Sequence, residues 1–190
     1  MQEYPAVILM AGPAGAGKTT MANLIGDKPG WIALSEDKFW DRLPREPHTF
    51  RTDDEKAIVQ DMVVMAAIDH LNHGFRVAIE FIVYEDPPQP ILFYERQLET
   101  YGFSVAIRVL RPAVETLLQR QAKRGNSHDI EVPLETRRGF AEQQVRCLMS
   151  TAIAPEWIID SSDLSIVDLY DGHFAHLVEQ ARQHPHSSVG

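Results

Sequence analysis

Residues with chemistry to offer concentrate near the start of the chain. There Gly12-Pro13-Ala14-Gly15-Ala16-Gly17-Lys18-Thr19-Thr20 follows the apolar run Ala6-Val7-Ile8-Leu9-Met10-Ala11. Gly12 to Thr19 fit the spacing GxxxxGK[ST], and they do so between a strand and a helix, the context in which that pattern carries weight. Glycines at 12, 15 and 17 let the backbone wrap an anion closely and turn successive N–H groups inward. A helix starting near Gly17 adds its unpaired N–H groups and the positive end of its dipole. Lys18 brings a mobile cation for terminal phosphates, and Thr19 a hydroxyl for the magnesium ion that accompanies them. The expected chemistry is capture of a nucleoside triphosphate's tail, with Gly12 through Thr20 as the contact set.

Carboxylates form the second candidate group. Trp31-Ile32-Ala33-Leu34 reads as the next strand, and Ser35-Glu36-Asp37 stand just past its carboxyl end, where ligands bind in open α/β sheets. A carboxylate there can accept the proton of an attacking hydroxyl. Asp37 and its neighbour Glu36 are rivals for that role, and the plain alternative is that Ser35 or Asp37 caps a short helix. Glu80 interrupts a third strand expected over Arg76 to Val83, where a charge is costly unless it is paired or at the strand's end. From that end it can hold magnesium through water or orient an acceptor, so Thr19 and Glu80 are the metal candidates. Residues 41 to 53 form a long connection, of the kind that often serves function. Its Arg42, Arg45 and Arg51 are candidates for an anionic acceptor, set against the bland reading of a solvated basic loop.

From residue 5 to about 180 the chain resembles the small P-loop kinases that phosphorylate a hydroxyl on a small molecule. That group includes gluconate kinase, shikimate kinase, chloramphenicol phosphotransferase and the kinase domain of polynucleotide 5′-kinase. The phosphate loop carries the specific part of the likeness; the rest is order and pattern. The resemblance implies the strand order two-three-one-four-five, ATP and Mg2+ in the site, and Asp37 as the base. It implies a lid over about residues 120 to 138, which hold the cations Arg120, Lys123, Arg124, Arg137 and Arg138. Arg120 and Arg124 are carried over as nucleotide contacts, and Arg137 or Arg138 as the partner of the γ-phosphate. The helix from about Ile91 to Tyr101 would lie beside the acceptor pocket, so Arg96 either faces that pocket or pairs with Glu95 or Glu99. Asp160 to Asp163 would frame the adenine.

The elements that must position these groups alternate as five strands and their helices, an α/β pattern with a parallel sheet in three layers. A single domain is expected over residues 1–183, followed by a frayed tail over 184–190. A helix from Asp53 to about Asn72 carries Ile58, Met62, Met65, Ile68 and Leu71 at spacings of three and four, which reads as a buried stripe. A strand over Phe103 to Leu110 follows, then a helix opened by Arg111-Pro112, and another from about Leu134. Pro155 to Asp160 reads as the fifth strand. Ser161-Ser162-Asp163 is expected to cap a last helix running to about Arg182.

Composition narrows the partners. The 190 residues carry a net charge of −9, from 27 acidic against 18 basic side chains, which repels polyanions and argues against nucleic acid. No apolar run approaches membrane-spanning length, and the single Cys147 fits a reducing, cytoplasmic setting. The expected activity is an ATP-dependent phosphotransferase acting on a small-molecule hydroxyl, as a monomer or homodimer. The alternatives are a nucleotide-switch ATPase, or a nucleoside monophosphate kinase whose acceptor phosphate would need the arginines between 42 and 51.

Overall fold

A computed structural model describes residues 5–43, 51–125 and 132–179. Arg45, the middle of the expected lid and the expected tail lie outside the described residues. Strands β1 (Val7–Ala11), β2 (Trp31–Ser35), β3 (Arg76–Phe81), β4 (Val105–Leu110) and β5 (Ile158–Ile159) form one parallel sheet. Its order is β2-β3-β1-β4-β5, as the resemblance implied.

β1 lies at the centre, which explains its unbroken apolar sequence: a parallel strand covered on both faces has no solvent side to mark with polar residues. Its side chains alternate between two cores. Val7, Leu9 and Ala11 join the one under α2 (Glu36–Trp40), α3 (Asp53–Asn72) and α4 (Gln89–Thr100). Ile8 and Met10 join the other, under α1 (Lys18–Gly26), α5 (Val114–Arg124), α7 (Ile166–His173) and α8 (Ala175–Glu179). The remaining helix, α6 (Leu134–Cys147), gives Ala141 to the second core and Cys147 to the first. No helix among the described residues is long and apolar enough to cross a membrane.

Several expected details shift. On α3 the fully buried row is Val59, Val63 and Ala67; of the expected stripe Leu71 is buried and Met62 and Ile68 pack half-buried against the same core, while Ile58 is 49% and Met65 62% exposed. Apolar residues surround most of this helix, and its own periodicity therefore selects no face. β5 is reduced to two residues because Pro155–Trp157 form a 3-10 turn. The last helix is interrupted at Phe174, whose ring is fully buried, and Arg108 donates from Nε to the freed His173 carbonyl at 3.3 Å. Its cap is Ser165, which accepts from the Asp168 N–H at 3.1 Å, and not the Ser161–Asp163 segment.

Candidate active site

The loop between β1 and α1 is built by close approach. A Cβ at Gly12 would stand 2.6 Å from the Leu110 carbonyl oxygen, so the first glycine lets the loop leave β1 pressed against β4. Residues 14–20 then line a cavity of about 890 Å³ together with Ser35, Asp37, Glu80 and the cations Arg120, Lys123 and Arg124. Gly12 and Pro13 sit behind this wall, where the Pro13 carbonyl accepts from the Lys18 ammonium at 3.0 Å. Lys18 is only 5% exposed. Burial pushes its pKa below the ordinary lysine value, while the carboxylates of Glu80 and Asp37 pull the other way.

Glu80 stands opposite Ser35 of β2 and Met10 of β1 in the sheet register, near the carboxyl ends of all three strands. It is 4% exposed, and one oxygen accepts from the Thr19 hydroxyl at 3.2 Å and from the Ser35 hydroxyl. A carboxylate flanked by two hydroxyls is the hard-oxygen donor set that suits magnesium. Sequence reasoning passed over Ser35 as a site residue; the available signal was its position as the last residue of a strand beside Glu80's own.

The rivals Glu36 and Asp37 part company on α2. Glu36 turns into the core, where it accepts from the Trp40 indole at 3.0 Å and the Tyr94 hydroxyl at 2.7 Å. Burial pushes its pKa up, and those two hydrogen bonds hold it down. Asp37 turns outward with 65% of its side chain exposed. It lines the first cavity and also a second, of about 590 Å³, whose walls include Trp40, Asp41, Arg51 and Tyr84. Asp37 and Ile82 are the residues shared by both, so the carboxylate stands where the two spaces meet.

Of the expected arginines, Arg120 reaches from α5 across the cavity floor, donating to the Ser161 carbonyl at 2.7 Å and the Ala16 carbonyl at 3.4 Å. Arg124 lines the same cavity one turn further on. Arg137 and Arg138 are not brought there: Arg137 donates to the Val132 carbonyl at 3.1 Å, and Arg138 pairs with Glu115 on the surface. Arg137 ends the first turn of α6 and Arg138 begins the second, which aims them at the chain entering that helix and at the outside of α5. Arg42 stacks over the Phe39 ring at 4.8 Å, outside the lining of the second cavity. Arg96 is exposed on α4 and lines neither space. Among the described residues, the arginine that does line the second cavity is Arg51, 4.2 Å over the Trp40 ring, 5.5 Å from the Tyr84 ring and 3.8 Å from Asp37. Its aromatic bracket was invisible in sequence because Trp40, Arg51 and Tyr84 come from three separate segments.

A family model described as AAA domain matches residues 7–144. Among solved structures, a gluconokinase from Sinorhizobium meliloti 1021 is similar at a TM-score of 0.61 and 13% identity, over 96% of this chain and 97% of that one. The Deinococcus radiodurans tunicamycin resistance protein is similar at a TM-score of 0.60 and 16% identity, over 93% of each chain. A chain of the Pnkp1/Rnl/Hen1 RNA repair complex gives a TM-score of 0.56 and 17% identity over 78% of this chain, which spans 47% of its length. At such identities the likeness is one of fold, and the fold is that of the P-loop kinases. No curated protein matches by sequence.

Proposed function

The chain belongs to the AAA domain family, and from its P-loop kinase fold and the geometry above we propose that it transfers the γ-phosphate of ATP to a hydroxyl of a small molecule. The observation that carries this reading is Asp37, a carboxylate at the junction of a phosphate-loop cavity and a second space of about 590 Å³. A switch ATPase needs only the first space. A transferase needs the second, opening onto the first at a base.

In this reading the loop amides and the Lys18 ammonium hold the terminal phosphates, and Arg120 and Arg124 hold the nucleotide from α5. Thr19 and Glu80 would hold Mg2+, with Ser35 fixing the carboxylate, and the ion would supply neutralisation of the phosphate charge. Asp37 takes the proton of the acceptor hydroxyl as that oxygen bonds to the γ-phosphorus and the bond from the γ-phosphorus to the β-phosphate oxygen breaks, releasing ADP; the proton then passes to solvent. The work of the site is positioning and electrostatic stabilisation, as phosphoryl transfer requires. The second cavity's carboxylates and aromatic faces suit a hydroxylated acceptor with an apolar face, and the gluconokinase among the structural neighbours supports a hydroxylated one. Two aspartates against one arginine among the described residues of that wall, with a chain charge of −9, favour a small acceptor over a nucleic-acid end.

The test is incubation with γ-labelled ATP and a panel of hydroxylated small molecules, nucleoside monophosphates and water alone. Label in an organic product is the expected result. Label found only in inorganic phosphate across a broad panel would mean a switch, and label on a monophosphate's phosphate would mean a nucleoside monophosphate kinase.

A further inference from the structure

Two buried carboxamides grip one residue of the phosphate loop. Gln121 of α5 donates from Nε2 to the Ala14 carbonyl at 2.9 Å, and Gln144 of α6 accepts on Oε1 from the Ala14 N–H, also at 2.9 Å. The direction of each bond is set by its partner, because a carbonyl only accepts and a peptide N–H only donates. The two side chains are 6% and 7% exposed, and glutamine rarely sits so deep without a task, since burying an amide is costly unless it is bonded.

The neighbouring residue shows how tightly the loop is held. Gly15 has φ +88, and a Cβ there would lie 3.2 Å from both Gln121 Cγ and the Leu117 carbonyl oxygen. The Arg120 guanidinium secures a further outward carbonyl, that of Ala16, at 3.4 Å.

We infer that Gln121 and Gln144 are positioning residues that preorganise the loop for a polyphosphate by tethering both polar groups of Ala14. The inference rests on the phosphate-binding reading of the loop and adds a requirement to it: one helix must offer a donor, the other an acceptor. With Ala14 fixed on both sides, the turn through Gly17 to Thr19 keeps its shape before the ligand arrives, and binding does not bear the ordering cost.

The test is calorimetric titration of MgATP into the full chain, comparing wild type with Gln121→Glu, Gln144→Glu and Gln144→Leu, beside thermal melts without nucleotide. A carboxylate can replace Gln144, which only accepts, but not Gln121, which must donate. Gln144→Glu is therefore expected to bind within about threefold of wild type, and Gln121→Glu and Gln144→Leu about tenfold or more weakly, the scale of an orphaned peptide group. A merely structural role would instead order the variants by their melting temperatures. If Gln144→Leu fails to fold, the two Glu variants, identical in chemistry, still decide the matter. Equal affinities for Gln121→Glu and Gln144→Glu, with wild type binding normally, would overturn the positioning role alone. Wild type that binds no MgATP would overturn the phosphate-loop reading itself.

Discussion

Glu36 and Asp37 share a helix turn and a functional group, yet one is anchored by Trp40 and Tyr94 and the other stands at the mouth of two cavities. Asp37→Asn is expected to abolish transfer while MgATP affinity, read by calorimetry, stays within about threefold, since the substitution removes a base and no phosphate contact. Glu36→Gln keeps transfer. Its effect falls on stability, and the sign follows from linkage. Glu36 binds its proton more tightly folded than unfolded, so its contribution is complete below the ordinary value of 4.5 and is lost as pH rises through its raised folded pKa. Urea denaturation across that window should show a shallower fall with pH for Glu36→Gln than for wild type. An unchanged slope would mean that the carboxylate is not the group responsible.

Among the elements, α3 shows where a sequence pattern stops being informative. Its start was readable from Asp53-Asp54-Glu55, and the structure adds Thr52, which exchanges hydrogen bonds with Glu55 in a capping box. Its buried face was only partly readable, because Ile58, Val59, Met62, Val63, Val64, Met65 and Ile68 spread around the helix and the sheet, α2 and α4 decide which of them turn inward. Val63→Ala is expected to cost about 2 kcal/mol, from lost burial plus a cavity. Met65→Ala, with its side chain in solvent, should stay within about 0.5 kcal/mol of wild type. Denaturant midpoints compare the two directly, and equal losses would contradict the register described for this helix. The last helix teaches the same lesson: Ser165, bonded to Asp168, starts it, while the more conspicuous Ser161-Ser162-Asp163 belongs to the turn that faces Arg120 and Ala113.

At the scale of the whole molecule, the sheet order places the ends of β1, β2 and β3 side by side, and the site is what accumulates there. A ligand that binds only this assembled state stabilises it by mass action. MgATP at a hundred times its dissociation constant should therefore add about 2.7 kcal/mol to unfolding. Thermal melts with and without nucleotide measure this, and Lys18→Met should remove most of the shift, as should chelation of the metal. A shift of full size in Lys18→Met would show that the nucleotide binds elsewhere.

What the sequence determined by itself is whatever depends on residues next to one another. The phosphate loop is such a feature, since three glycines, a lysine and a threonine in consecutive turns dictate their own backbone. The parallel sheet is another, because continuous apolar runs alternating with helices admit few arrangements. Placing Asp37 after β2 also needed only chain order. Tertiary structure decided what depends on distance across the fold: that Ser35 and Thr19 converge on Glu80, that Arg51 rather than Arg42 or Arg96 reaches the second cavity, and that Arg137 and Arg138 turn away. A long side chain's target is set by the packing of its helix against others, and that packing is a property of the assembled layers, written in no single stretch of chain.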